Sequence, residues 1–503
     1  MRSDGSAGLN LVTDPWIPVQ TVDGPRVIRP DQIAEPGVRF PDWPRADLNL
    51  ACLELLVGFV LLAAPPANRR DWRARHDPDP DVLCAAMAPL APAFELLGDG
   101  PRFMQEAIAT NEAPNPPDML FIDSAGDSTA KKNADLMVRR LRYDHLSLPL
   151  AAMALYALQA FAPSGGAGNR TSMRGGGPMV TLVRPGKSGP SPLWSLVWAN
   201  VPDGMALTDL AKLPWMRSTP PTSAAKEVHL PARDDTRPEP ETFFGLPRRL
   251  RLTAETRGGE TMVTGVHQRP WGANYTGWLH PLTPYYRTKT DRLPVHPKGG
   301  TFGYRNWRGV VLEGDERIRA ATVTTYLTRT DSQDDGMRLI VGGWTMNNMS
   351  PVDFLWSEQP VFPLTPEQEN RARAMVEAAE GVGFALAAAV RDGTGDDLAA
   401  GRPLRARERF FALTQMPFEA AVSQMNEGTE EAWLRELRRH AEKLFDDEVA
   451  PGLADLQPQR REAAVIARRA LRATLAGRTK TGAEIFFALG MTPPPKRKRK
   501  VDA

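Results

Sequence analysis

The stretch Phe362-Pro363-Leu364-Thr365-Pro366-Glu367-Gln368 divides this chain in two. Thr365 suits a helix N-cap, Pro366 the first helical position, and Gln368 three residues on completes a capping box. Downstream, the first helix extends to about Arg391, where Gly393-Thr394-Gly395 stops it. Arg405 to Gln415 starts a second, which Pro417 interrupts. Thr429 opens a third with Trp433, Leu437 and Leu444 on one face, and Pro451 ends it. A fourth runs from about Pro458 to Gly477 with Ala464, Ala467, Leu471 and Leu475 as its inward stripe. Four helices with short connections predict a four-helix bundle over 363–490. Upstream, 1–362 mixes short β-like runs (Met179 to Val183, Arg249 to Leu252, Arg338 to Val341) with helices and long Pro/Gly loops. The expected fold class is therefore α+β, a large mixed N-terminal domain followed by the bundle. The end, 491–503, reads as a disordered basic tail, with Lys496-Arg497-Lys498-Arg499-Lys500 after three prolines. No repeat of solenoid or propeller length is visible.

A length of 503 residues exceeds one ordinary core, which agrees with that division. With 42% hydrophobic and 24% charged residues and a net charge of +2, the chain falls in the soluble globular class, and bulk charge names no partner. The cations are 50 Arg against 12 Lys, a bias towards the planar donor fork that suits phosphate. A GC-rich genome accounts for it equally well. Cys52 and Cys84 have no CxxC partner, which argues against a thiolate zinc site or a disulfide framework and predicts a cytoplasmic protein. The most apolar stretch, Leu48 to Ala64, carries Asn49 and Glu54 and reads as a buried helix rather than a membrane span.

Catalytic signatures are sparse. No Gly-x-Ser-x-Gly elbow occurs, and His76, His145, His229, His267, His280, His296 and His440 lack the spacing of a local metal site. Asp334-Asp335 and Asp446-Asp447 are sequence neighbours whose side chains diverge, so they read as solvated surface. The expectation is a protein that is not an enzyme and holds neither metal nor cofactor.

Binding signatures are richer. Ser164-Gly165-Gly166-Ala167-Gly168-Asn169-Arg170-Thr171-Ser172-Met173-Arg174-Gly175-Gly176-Gly177-Pro178 lacks the Gly-Lys-Ser/Thr of a P-loop and follows a helix-like run, Leu148 to Phe161. It offers bare backbone able to approach a narrow DNA groove, flanked by Arg170 and Arg174 for the DNA backbone; a flexible turn is the competing account. Gly342-Gly343-Trp344-Thr345-Met346-Asn347-Asn348-Met349-Ser350 ends a strand in amides that can reach base edges and a thioether that can wedge between them, although tolerance of left-handed backbone also explains an Asn pair. Lys131-Lys132-Asn133, with Arg139, Arg140, Arg142 and Tyr143, forms a basic cluster beside an aromatic. On the last bundle helix, Arg461, Arg468 and Arg472 share an outward face, and seven cations stand against one acid, Glu462, from Arg460 to Lys480. These three arginines are further candidates for DNA-backbone contact.

Taken in order, these segments resemble the CasA family, the large subunit of the type I-E CRISPR surveillance complex Cascade. The resemblance is carried by Asn10-Leu11-Val12-Thr13-Asp14-Pro15-Trp16-Ile17-Pro18-Val19, Phe103-Met104-Gln105, Arg174-Gly175-Gly176, Gly342-Gly343 with the Asn pair, and Leu444-Phe445 through Val449-Ala450-Pro451. It implies a non-catalytic subunit that recognises the protospacer-adjacent motif of double-stranded target DNA from the minor groove and starts strand separation. It also implies guide RNA, the other Cascade subunits and the CRISPR helicase-nuclease as partners, and no membrane. The family's glycine loop maps to Ser164, Gly165, Gly166, Ala167, Gly168 and Asn169, with Ala167 breaking a run of three glycines. The strand-separating wedge maps to Asn347, Asn348 and Met349, with Asn348 where a glutamine is expected. The basic finger, a lysine in the family, falls in Val266-His267-Gln268-Arg269-Pro270-Trp271, where Arg269 is the nearest cation. Lys131, Lys132 and Asn133 match a loop that reaches guide RNA and neighbouring subunits. The alternatives are a stand-alone enzyme with a helical regulatory domain and a generic nucleic-acid-binding scaffold, and co-purification with guide RNA separates them from this reading.

Overall fold

The computed structural model describes residues 8–108, 111–124, 131, 139, 142–165, 168–187, 189–217, 228–229, 238–314, 316–394, 401–451 and 457–495. The chain forms two compact units, Met1–Gly299 with Glu316–Val361, and Gly300–Asp315 with Phe362–Ala503. Residues 300–315 thus belong with the C-terminal helices, an insertion that the sequence division at 363 does not anticipate.

The principal elements of the first unit are β1 (Ile17–Thr21), β2 (Gly24–Ile28), β3 (Val38–Pro41), α1 (Ala46–Ala63), α2 (Leu148–Phe161), β4 (Val180–Arg184), α3 (Pro192–Asn200), β5 (Arg249–Arg257), β6 (Glu260–Arg269), β7 (Arg338–Asn347) and β8 (Ser350–Pro360). Among the described residues these strands form the small antiparallel sheets β2-β1-β3, β8-β7-β4, and β5-β6 with Leu146–Ser147 on its edge, and Tyr285–Arg287 pairs with Arg292–Pro294 and Arg317–Ile318 in a fourth. The β7 and β8 strands pair from Arg338↔Pro360 to Asn347↔Ser350 with an irregularity between Thr345 and Met346.

Apolar side chains run all round α1, so it is a central core helix, packed on α2 and on β7. By length and composition it could cross a membrane, yet it is buried within the protein. Its Phe59 joins Phe94, Phe103, Trp215 and Phe244 in one aromatic cluster with centroids 4.9–6.4 Å apart. Such pairs add about 0.5–1.5 kcal/mol each beyond the area they bury. Two of the sequence signatures hold this core together. Asn10 Oδ1 accepts from the Val12 and Thr13 amides at 3.0 and 3.1 Å, and its Nδ2 donates to the Ala91 carbonyl at 2.8 Å. Gln105 donates to the Leu96 carbonyl at 2.8 Å and accepts from the Leu252 amide at 2.9 Å.

The second unit contains α4 (Pro366–Thr394), α5 (Gly401–Ser423), α6 (Thr429–Val449), α7 (Pro458–Leu475) and a short α8 (Lys480–Ala488). The capping box is present: the Thr365 amide donates to Gln368 Oε1 at 2.9 Å and the Gln368 amide to Thr365 Oγ1 at 3.2 Å. Trp433, Leu437 and Leu444, and on α7 Ala464, Ala467, Leu471 and Leu475, are all buried. One expectation fails, because α5 runs straight through Pro417. The carbonyl four residues earlier belongs to Leu413, which is 47% exposed, so water can satisfy what the missing N–H leaves open. The fifth helix was also not foreseen.

Candidate nucleic-acid interface

The glycine-rich segment leaves α2 and enters β4, and its ends are pinned to the core. The Ser172 amide donates to the Ala162 carbonyl at 2.9 Å and the Gly177 amide to the Phe161 carbonyl at 2.8 Å, closing the loop at its neck. Outside the neck, the Gly165 amide donates to the Asn169 carbonyl at 3.2 Å. The tip docks on the end of β6: Gln268 Nε2 donates to Asn169 Oδ1 at 2.7 Å, and the Trp271 amide to the Gly168 carbonyl at 3.0 Å. Gly168 has φ +77°, and a Cβ there would stand 2.8 Å from the Trp271 ring, so both backbone and space require glycine. Of the sequence-expected loop residues, Ser164, Gly165, Gly168 and Asn169 are described; Gly166 and Ala167 lie outside the described residues.

Arg174 corrects the sequence expectation. Its side chain is 2% exposed and cannot reach a phosphate; it makes a two-pronged ion pair with buried Glu54 at 2.6 and 3.0 Å and also donates to Thr283 Oγ1 at 3.2 Å. Burial pushes the Glu54 carboxyl up while Arg174 opposes it. His280, with Nε2 3.6 Å from Glu54, is driven well below its usual range by burial and by Arg174, and is therefore neutral. A buried pair of this kind costs about 3–5 kcal/mol to break from one side, which makes Arg174 an anchor for the exit of the loop.

Arg170 follows the tip directly, with its guanidinium 5.1 Å from the Trp271 ring centroid. Trp271 itself was missed by sequence reasoning as a site residue. Its signal is a left-handed backbone, φ +66°, in a bulky residue, and nothing in sequence discloses that. Arg269, three positions before Gly272, ends β6 and is ion-paired to Glu112 at 2.8 Å.

Asn347, Asn348 and Met349 stand at the tip of the β7–β8 hairpin. Asn347 pairs with Ser350, and Asn348 and Met349 form a two-residue turn with φ +45° and +67°, the signs of a type I′ turn. All three are exposed, Met349 by 51%. Below the tip, β7 packs against the end of the glycine segment, where a Cβ on Gly177 would meet the Trp344 carbonyl at 2.5 Å. Loop and hairpin are thus built on adjoining backbone of one unit.

The remaining candidates are dispersed. Lys131 is exposed, while Lys132 and Asn133 lie outside the described residues. Arg142 of the same cluster is committed to Asp123 at 2.9 Å and to the Phe121 and Tyr143 rings. On α7 Arg461 is exposed, but Arg468 pairs with Asp446 at 2.6 Å and Arg472 with Glu442 at 3.0 Å, so acids of α6 offset much of that basic face. Among the described residues, no three His, Cys, Asp or Glu side chains are grouped to hold a metal.

The chain thus joins a mixed α+β unit, carrying an exposed two-residue hairpin turn and a pinned glycine loop, to a helical unit. Residues 10–444 match the sequence profile of CRISPR-associated protein Cse1, and the chain belongs to that family, the CasA family its sequence resembles. The fold is similar to Thermus thermophilus CasA (TM-score 0.72, 18% identity, covering 93% of this chain and 99% of that one). It is also similar to Thermobifida fusca Cse1 (TM-score 0.69, 20% identity, 97% and 99%) and to a chain of a CRISPR RNA-guided surveillance complex (TM-score 0.68, 15% identity, 92% and 99%).

Proposed function

We propose that this chain is the non-catalytic large subunit of an RNA-guided surveillance complex and reads a short motif in double-stranded DNA from the minor groove. The observation that carries the reading is the exposed Asn347-Asn348-Met349 turn on a strand that packs against the exit of the glycine loop. Backbone of Gly165 and Gly168 enters the groove without a side chain to clash, and the turn wedges beneath the motif. Unstacking one step costs a few kcal/mol, which the wedge and phosphate contacts offset, while guide RNA pairing nearly balances further opening. Arg170 and Arg461 contact the DNA backbone, Arg269 contributes as basic finger once Glu112 is exchanged for DNA, and the loop at Lys131 meets guide RNA or a neighbouring subunit. The open target then recruits the helicase-nuclease. Membership of the Cse1 family and likeness to a chain of a surveillance complex support the assignment.

The test is binding and strand opening by the reconstituted complex on duplexes that differ only beside the protospacer. Wild type should discriminate between them, and Asn347→Ala/Asn348→Ala and Gly165→Asp should lose discrimination while assembly survives. Binding with a steep salt dependence but no motif preference would instead favour the generic scaffold.

A further inference from the structure

One side of β8 is left without a neighbouring strand among the described residues, since the sheet order β8-β7-β4 places it at an end. Thr181 and Val183 of β4 donate their amides away from β7, to the Leu282 carbonyl at 2.7 Å and to Asn200 Oδ1 at 2.8 Å. Alternation across the register therefore turns the main-chain groups of Phe354, Trp356 and Glu358 outward, away from β7. Side chains cover two of these positions: Asp353 Oδ1 accepts from the Phe354 amide at 2.8 Å, and Arg338 Nη2 donates to the Glu358 carbonyl at 3.1 Å. Pro351 and Pro360 close the ends of the strand, and Val352 is bulged out of register, all of them guards of an edge strand. Between the guards, the Trp356 amide and carbonyl have no hydrogen-bond partner among the described residues.

Beside Trp356 lies a cleft of about 580 Å³ lined by Arg39, Phe40, Arg184, Trp356 and Glu358 among others, large enough to take a few side chains. The Phe40 and Trp356 rings meet edge to face at 5.9 Å, and both remain partly exposed. Glu358 is shared by Arg184 at 2.7 Å and Arg338 at 3.5 Å, while Arg39 has no ion pair among the described residues. Three guanidiniums thus face one carboxylate. Gln20 pairs with Phe40 and Thr21 with Val38, so Arg39 is the extra residue of a bulge, the device by which a strand re-aims a side chain.

We propose that β8 and this cleft dock an extended acidic peptide segment of a partner protein, which adds a strand along the Trp356 edge. Its main chain takes the Trp356 amide and carbonyl, an apolar side chain packs on the Phe40 and Trp356 rings, and a carboxylate meets Arg39. A mononucleotide would satisfy the rings and the arginines but leave the strand edge unpaired, so the open main chain decides for a peptide. Trp356 lies about 20 Å along β8 from Ser350, at about 3.3 Å per residue, so the site is separate from the DNA-reading turn and does not depend on that reading.

The test uses the full chain and a phage-displayed library of random octapeptides. Selected sequences should alternate acidic with apolar residues. A synthetic peptide of that consensus should lose about fivefold in affinity for each methylated amide along one set of alternate positions and little along the other, because a strand pairs through one edge. Arg39→Glu, at an exposed position, should weaken the same peptide roughly fivefold and prefer a version with lysine in place of glutamate. Trp356→Ala should remove the selection for an apolar residue at the alternate position. Recovery of no peptide that Arg39→Glu weakens overturns the proposal. Equal loss from methylating either set of amides overturns strand addition. Binding of AMP that Trp356→Ala abolishes, with no peptide selected, makes the cleft a nucleotide pocket instead.

Discussion

Met349 pays a backbone cost at the point where its side chain is most exposed. A left-handed conformation costs a non-glycine residue about 1–2 kcal/mol, and at φ +67° this one has no burial to offset it. Met349→Gly should therefore stabilise the first unit by about 1 kcal/mol in thermal unfolding while reducing strand opening by the complex; a variant that opens target normally would remove Met349 from the wedge. His280 makes the opposite kind of statement, about the core. Its Nδ1 accepts from the Leu282 amide at 3.3 Å, Glu54 and Arg174 face the ring, and its backbone amide donates to the Tyr285 hydroxyl at 2.8 Å. Folded His280 stays neutral below the ordinary histidine range, whereas the unfolded chain takes up a proton near pH 6.5. The unfolded state then binds more protons, so this contribution is present above about pH 6.5 and lost as pH falls below it, by at most about 1.4 kcal/mol per unit. Thermal midpoints measured between pH 7.5 and 5.5 should fall more for wild type than for His280→Gln. His296 and His440, shifted the same way by burial, are common to both and cancel in the difference.

Among elements, the β7–β8 hairpin and the glycine segment share one seam, at Gly177 against Trp344. Gly177→Ala would place a Cβ 2.5 Å from the Trp344 carbonyl at φ +62°, so the loop must shift. The expected outcome is loss of motif discrimination in the assembled complex with the hairpin's own exposure, read by proteolysis, unchanged. Helices were legible in sequence wherever capping and apolar period agreed, as at Thr365-Pro366-Glu367-Gln368 and along Trp433, Leu437 and Leu444. Pro417 misled because the solvent exposure that excuses it is a property of the packed bundle. The hairpin turn was legible as a place where amides tolerate left-handed backbone. The strands around it are longer than their β-like cores, because β7 is extended past its pairing with distant β4 by the hairpin it makes with β8. Arg174 and Arg170 look alike in sequence, four residues apart beside the same glycines. What separates them is Glu54, 120 positions from Arg174, which no local pattern can supply.

In the whole molecule, the helical unit is assembled from two separated pieces of chain. Tyr304, fully buried, stacks on Phe418 at 4.3 Å and shares a hydrogen bond of 2.8 Å with Thr414, and Trp307 meets Phe418 at 5.4 Å. A fragment of 362–490 alone should therefore expose Phe418 and Trp433 and aggregate or melt early, while the same fragment joined by a linker to 300–314 should be monomeric and more stable; equal stability in calorimetry would show that the insertion is dispensable. The same topology bears on inheritance. The chain passes between units after residues 299, 315 and 361, so a single recombination event near 361 between two diverged relatives would leave one parent's Tyr304 facing the other parent's Phe418. The helices of this protein can be exchanged among lineages only together with a sixteen-residue passage that their own end of the gene does not encode.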